Sequence, residues 1–315
     1  MAQTLRVATF NTELQRKGPG ILLRDILEGD DPQVLAVLET LHEVGADVVV
    51  LQAVDHDLHL SALNALADSL AARGLSYPHR FAAAPNAGQM TDLDLDGDGA
   101  TGGAGDAQGY GRFYGEGSMA LLSRHPIAVA EVRDFSDLLW RNLPGALLPT
   151  SDGAPFPSVE AQQVQRLSSH GHWIVPIDHP ELGRVQMLTF HAGPPVFDGP
   201  EDRNGRRNHD EVIFWRHLLD GHFGDAPDGA FVILGDANLD PRRGDGRGAA
   251  IRALLSDPRL QDPLPDSTTV AWPQTGEMRV DYVLPSADWT VADAGVHPAD
   301  SAASRHRLVW VDLKR

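Results

Sequence analysis

Hydrophobic and polar positions alternate along this chain with two periods, and the period changes many times. Arg6–Asn11 reads as a strand that ends in polar residues. Asp31-Pro32 supplies a helix N-cap followed by proline at the first helical position. Val34, Leu35, Val37, Leu38, Leu41 and Val44 then keep helical spacing, and Gly45 closes the helix. Asp47–Gln52, DVVVLQ, is a short β-branched run suited to a strand buried on both faces. Leu60, Leu63, Leu66 and Leu70 mark a second amphipathic helix ending at Gly74. Further strands are predicted at Ser118–Ser123, Ile127–Val132, His172–Ile177, Arg184–His191 and Val232–Leu234, the last running into Gly235-Asp236. Others are predicted at Arg279–Leu284, Trp289–Val296 and Leu308–Leu313, with helices at Arg206–His222 and near Gly248–Leu255. Residues 84–117 are Gly- and Asp-rich, with no Lys or Arg between Arg80 and Arg112. Residues 141–161 are a Pro/Gly/Ser-rich excursion. Strands spread over the whole length, without repeats or heptads, predict one layered α/β domain spanning 1–315.

Composition narrows the classes. The 315 residues carry 26 basic and 44 acidic side chains, a net charge of −18, so a broad basic surface for nucleic acid is excluded. A nuclease with local cations in one cleft is not. Lys17 and Lys314 are the only lysines, so positive charge is almost entirely arginine. The absence of cysteine removes disulfides, thiol catalysis and zinc–thiolate sites. No apolar window is long enough for a membrane span. Met1-Ala2-Gln3-Thr4 runs almost at once into the first strand, without room for a signal peptide. A cytoplasmic protein and an exported one whose signal has been removed both fit.

Chemistry in layered α/β folds sits on loops at strand ends. Here those ends carry Phe10-Asn11-Thr12-Glu13, Gln52-Ala53-Val54-Asp55-His56-Asp57, Thr189-Phe190-His191, Gly235-Asp236-Ala237-Asn238, Asp281-Tyr282 and Ser304-Arg305-His306. Each alone is ordinary; the set, in this order, is not. TFN at 9–11, VVVLQ at 48–52, GSMALLSRHPI at 117–127, LTFH at 188–191, LGDANLDP at 234–241, RVDYVL at 279–284 and SRH at 304–306 resemble the endonuclease/exonuclease/phosphatase superfamily of metal-dependent phosphoesterases. The resemblance spans residues 5–313. It implies two mixed β-sheets packed as a sandwich with helices on the outer faces, and a cleft at one end of the sheets. It also implies roles. His306 activates water or contacts the scissile phosphate, and His191 contacts phosphate. Asp236 and Asn238 orient the nucleophile and bind phosphate. Asn11 holds a metal-binding carboxylate, and Asp281 orients a histidine. Hydrolysis needs these parts on physical grounds too: a positioned nucleophile, a base near neutral pH and positive charge on the phosphoryl oxygens.

Two positions depart from the pattern. The family's principal metal ligand, a glutamate after LQ, is Ala53 here, and the aspartate before the last histidine is Arg305. Arginine would repel a metal but could bind a phosphate oxygen directly. Asp55 and Asp57 share a face with residue 53 if the segment is extended, so they and Glu13 are the candidate replacement ligands for Mg²⁺ or Mn²⁺ in the cleft. Asp92, Asp94, Asp96 and Asp98 alternate along DLDLDGDG, with Asp106 beyond, which suits a Ca²⁺ loop although the EF-hand glutamate is missing; a solvated acidic loop is the other reading. Tyr110 and Arg112, just past this loop, are expected near the cleft. Arg203, Asn204 and Arg207 open the helix near 206 and are candidate phosphate contacts, unless they pair with Glu201, Asp202 and Asp210. The expected activity is metal-dependent hydrolysis of a small phosphomonoester or phosphodiester. A nuclease and a non-catalytic, calcium-binding member of the fold are the alternatives.

Overall fold

The computed structural model describes residues 4–227 and 229–315, so Met1–Gln3 of the leader reading lie outside the described residues. The strands are β1 (Leu5–Asn11), β2 (Val48–Val54), β3 (His79–Phe81), β4 (Ser118–Ser123), β5 (Arg133–Asp134), β6 (Thr150–Ser151), β7 (Ala154–Pro155), β8 (His172–His179), β9 (Gly183–His191), β10 (Phe231–Asp236), β11 (Val270–Trp272), β12 (Gly276–Met278), β13 (Asp281–Pro285), β14 (Thr290–Val296) and β15 (Val309–Lys314). The helices are α1 (Ile21–Glu28), α2 (Pro32–Val44), α3 (Ser61–Ala72), α4 (Val159–Val164), α5 (Arg203–Leu219) and α6 (Ala249–Leu255). One sheet has the order β14-β15-β1-β2-β4-β3, the other β13-β10-β9-β8-β5.

The sheets pack face to face. Val7, Val48, Val50 and Leu121 of the first meet Trp173, Val175, Met187, Val232 and Leu234 of the second in one buried cluster. Successive side chains on a strand point to opposite faces. Ala8, Phe10, Val49 and Leu51 therefore face outward, onto Val37, Leu41, Leu66 and Leu70 of α2 and α3. On the far side Leu188, Phe190 and Ile233 meet Val212, Phe214, Trp215 and Leu218 of α5 and Ile251 and Leu254 of α6. The layers are helix, sheet, sheet, helix, as the family resemblance implies. β1 pairs in parallel with β2, and β9 with β10; β2 and β10 are buried along their whole length, and this is why VVVL and FVIL read as apolar runs. Among the described residues no helix is long and apolar enough to cross a membrane.

Local chemistry sets the boundaries. The Asp31 carboxylate accepts the Val34 amide at 2.8 Å, Pro32 opens α2, and Gly45 at φ 58° closes it. α5 starts and ends three residues earlier than the sequence predicts. The strand expected at Ile127–Val132 does not form. Ile127 makes a single bridge to Ile177, Val129–Glu131 coils into a 3₁₀ turn, and pairing resumes only at β5, because this is the sheet's edge. α1, bracketed by left-handed Gly20 and Gly29, is too short for its period to stand out.

Candidate active site

The second sheet brings the central groups together by register alone. Asp236 ends β10 directly opposite His191 on β9 and opposite Asp281 on β13. His306, in the turn before β15, completes the row: its Nδ1 lies 3.0 and 3.2 Å from the two Asp281 oxygens and 3.9 Å from Asp236 Oδ2. From the first sheet, Asn11 Nδ2 donates to Asp236 Oδ2 at 2.8 Å. The other Asp236 oxygen accepts the Asn238 amide at 2.7 Å, and Asn238 Nδ2 is tied to the Ala192 carbonyl at 2.9 Å. His191 Nε2 stands 3.6 Å from Asp236 Oδ2. The edge of the Trp272 ring meets the His306 ring at 5.7 Å between centroids. Asp236, Asp281 and His306 are all buried.

Burial sets the electrostatics of this row. It opposes charge on His306, but Asp281, Asp236, the Asp281 hydrogen bond and Glu13 outweigh it and raise the imidazole to about 9. Burial first, and the neighbouring Asp281 second, push Asp236 up to about 7. His191 goes the other way: burial, then His170 and His306, hold it well below its ordinary value, so it is neutral. His170 was not expected from the sequence. Its ring stacks on His191 at 3.9 Å and 6°, and its Nδ1 meets the His191 carbonyl at 2.9 Å. Only fold proximity links residues 170 and 191, so no local signal could have found the pair. Glu211 was also missed. Buried on α5, it accepts the Ser169 and Gly193 amides at 2.5 and 2.8 Å and so fixes the loops that present both histidines.

The arginine-rich helix start does not serve as expected. Arg207 is buried and donates to the carbonyls of Gln108, Arg166, Leu167 and Ser168 at 2.5–3.1 Å. Its donors are used to clamp the long loop to the second sheet. Arg203 is buried against Gln165 Oε1 at 2.9 Å, and Asn204 Nδ2 donates to the Val196 carbonyl at 2.8 Å. Arg112 pairs with Glu116 and Tyr110 is exposed. In the acidic loop, Asp94, Asp96 and Asp106 bring ligand oxygens within 4.8 Å of one another, while Asp92 and Asp98 stand outside that group. Asp106 accepts the Leu95 and Gly103 amides, at 2.9 and 2.8 Å.

Residues 8–306 match the model of the Endonuclease/Exonuclease/phosphatase family. The chain belongs to that family. No curated protein sequence matches it. Among solved structures, the endonuclease/exonuclease/phosphatase from Beutenbergia cavernae is 21% identical, covering 99% of this chain and 72% of that one, with a TM-score of 0.62. A family protein from Leptotrichia buccalis is 16% identical over 99% and 100% of the two chains, with a TM-score of 0.57. Sphingomyelinase C from Streptomyces griseocarneus is 20% identical over 98% and 99%, with a TM-score of 0.55. At these identities the likeness is one of fold. Members of the endonuclease/exonuclease/phosphatase family are generally hydrolases of phosphoester bonds and typically use divalent metals.

Within this family member, the candidate replacement ligands are committed elsewhere. A bulge between Gln52 and Val54, with Ala53 at φ 55°, turns the chain out of the strand, so residues 53, 55 and 57 do not share a face. Asp57 accepts the Ser61 and Ala62 amides at 2.8 and 2.9 Å and caps α3. Asp55 accepts the amides of Arg16 and Gly117 at 2.9 and 3.0 Å, and burial raises it to about 6. Glu13 is engaged by the Arg305 guanidinium. Asp236, Asp281 and His306 do bring ligand atoms within 4.8 Å of one another. There, however, His306 already faces both Asp281 oxygens as a cation.

Proposed function

We propose that this chain hydrolyses a phosphoester, with a water molecule attacking phosphorus at the His191–Asp236–Asp281–His306 row. The observation that carries this reading is geometric: the register of β9, β10 and β13 aligns His191, Asp236 and Asp281, and the turn before β15 brings His306 Nδ1 to 3.0 Å from Asp281. Asp236, poised near neutrality, takes the proton of the attacking water. The oxygen of that water joins phosphorus, the ester P–O bond breaks, and the leaving oxygen takes a proton from solvent. His306, charged and oriented by Asp281, stabilises the negative charge that builds on the phosphoryl oxygens. His191, neutral, offers its Nε2 beside Asp236 as a contact for the phosphate. Ala53 offers no ligand, and Asp55, Asp57 and Glu13 are held by other partners, so in this reading the chain's own side chains carry the reaction. In the acidic loop we propose Ca²⁺, held by Asp94, Asp96 and Asp106.

For substrate we propose a small phosphodiester or phosphomonoester. The net charge of −18 disfavours a long polyanion, and the fold likeness to a sphingomyelinase, an enzyme named for a compact phosphodiester, points the same way. A nuclease is the second reading. Turnover of a generic phosphodiester, a generic phosphomonoester and single-stranded DNA, each with and without chelator, tests the set. His306→Ala is expected to lower the rate on the best substrate about 10²–10³-fold, the usual cost of losing one donor at the developing charge. Wild-type rates in that variant, or no turnover of any ester by the parent, would overturn the reading.

A further inference from the structure

The row at β9, β10 and β13 is linked to a second charged unit on the first sheet. Glu13 is held on several sides. Its amide donates to Asn11 Oδ1 at 3.2 Å, and its Oε2 accepts Arg305 N at 2.8 Å and Ser304 Oγ at 3.2 Å. Its Oε1 accepts both Arg305 Nε, at 2.8 Å, and Nη2. Glu13 sits at φ 50°, a left-handed conformation that a non-glycine residue seldom adopts. Asn11 then passes the connection on through Nδ2 to Asp236 Oδ2. Arg305, Glu13, Asn11 and Asp236 form one hydrogen-bonded line that ends beside His306.

The guanidinium is oriented but not used up. Glu13 takes the Nε–Nη2 edge, and Nη1 donates to no protein group among the described residues, on a side chain that is 59% exposed. One locked edge and one open edge make a directed donor for a phosphoryl oxygen. Meanwhile a fixed positive charge at position 305 and a methyl group at position 53 remove both the attraction and the ligand that a divalent cation would need on this side of the cleft. Lysine, a compact point charge on a flexible stem, would not hold such a geometry.

We propose that the Arg305–Glu13 pair takes the place of a resident divalent cation in this cleft, with Arg305 Nη1 binding a non-bridging oxygen of the substrate's phosphate. The proposal rests on the phosphoester reading above and makes a sharper claim: phosphate binding at this site is independent of metal and dependent on Arg305. A plain surface ion pair would contribute little to the fold and leave phosphate binding unchanged.

The test uses the full chain, stripped with chelator and titrated with inorganic phosphate followed by ³¹P NMR, in EDTA and in millimolar Mg²⁺. Affinity is expected to agree within about twofold between the two conditions. Arg305→Ala should weaken it about tenfold or more, with Arg305→Lys between them. Because Arg305 is exposed, circular dichroism of both variants should match the parent; a lost fold in Arg305→Ala leaves Arg305→Lys, with charge kept and fork geometry lost, to decide. Phosphate binding that requires Mg²⁺, or an Arg305→Ala variant that binds like the parent, overturns the proposal. Turnover of a generic phosphodiester, measured alongside, separates the two claims. Turnover abolished by EDTA and indifferent to Arg305→Ala keeps the phosphoesterase and removes the proposal; no phosphate binding and no turnover in any condition removes both.

Discussion

At the scale of single residues, the same side chain type does different work according to where the fold places it. Asp236, Asp281, Asp55 and Asp57 all leave strand or turn ends, yet two join the histidine row, one ties Arg16 to Gly117, and one caps a helix. Residue types at strand ends were legible in the sequence: Asn11, His191, Asp236, Asp281 and His306 do converge. The roles of Glu13, Asp57 and Arg207 were not, because each depends on a partner chosen by backbone geometry, such as the bulge at Ala53. The pH dependence of catalysis follows from the two raised groups. Asp236 must lose its proton, so kcat/KM is expected to rise through about pH 7; His306 must keep its proton, so it is expected to fall through about pH 9. An activity profile that is flat across both limbs would contradict these assignments. Asp281→Asn should move both limbs to lower pH, because the Asp281 charge raises both His306 and Asp236.

At the scale of elements, α5 acts as a clamp rather than as an anion-binding helix end. Arg207 reaches back to four carbonyls, and Glu211 one turn on reaches two amides. Arg207→Met should strand several buried carbonyls at about 1–3 kcal/mol each and lower the melting temperature by several degrees. The measurement is a melting curve, and an unchanged midpoint would mean that the clamp carries no stability. The Gly/Asp-rich loop is the second element with a testable state. If Asp94, Asp96 and Asp106 hold Ca²⁺, a hundredfold excess over Kd stabilises the fold by about 2.7 kcal/mol, a rise of a few degrees in melting temperature. Asp94→Ala with Asp96→Ala should remove that rise. A midpoint indifferent to calcium in the parent would mark the loop as solvated acidic surface. The strand expected at Ile127–Val132 failed because apolar alternation does not say whether a neighbouring strand lies alongside; at a sheet edge only two points of pairing survive.

At the scale of the whole molecule, the layered α/β character was legible in apolar strands such as β2 and β10 and in the Asp31 cap of α2, whereas the two-sheet sandwich followed from the family resemblance. The stability of that sandwich should depend on pH in a defined direction. His306 is raised above its unfolded value, so its contribution is fully present below about 6.5 and is lost as pH rises through about 9. Asp55 and Glu211, raised by burial, likewise contribute most at acid pH, and that contribution is lost as pH rises through about 6 and about 7. His170 and His172, lowered to about 4 and 3, act oppositely, and their contribution is lost as pH falls below 6.5. Between pH 7 and 9 His306 is the group among these still titrating, so melting temperature should decline there in the parent. His306→Gln should flatten that slope, and an equally steep decline in the variant would place its cause elsewhere.

The contact between Trp272 and His306 gives the cleft its own optical reporter. A protonated imidazole against an indole edge quenches its emission, and a neutral one quenches less. Tryptophan fluorescence should therefore brighten as His306 discharges, on the same curve as the alkaline limb of activity. Trp272→Phe should erase that step while the other indoles remain. A phosphate that settles against His306 would delay the step to higher pH, so binding could be followed by light alone, without any turnover.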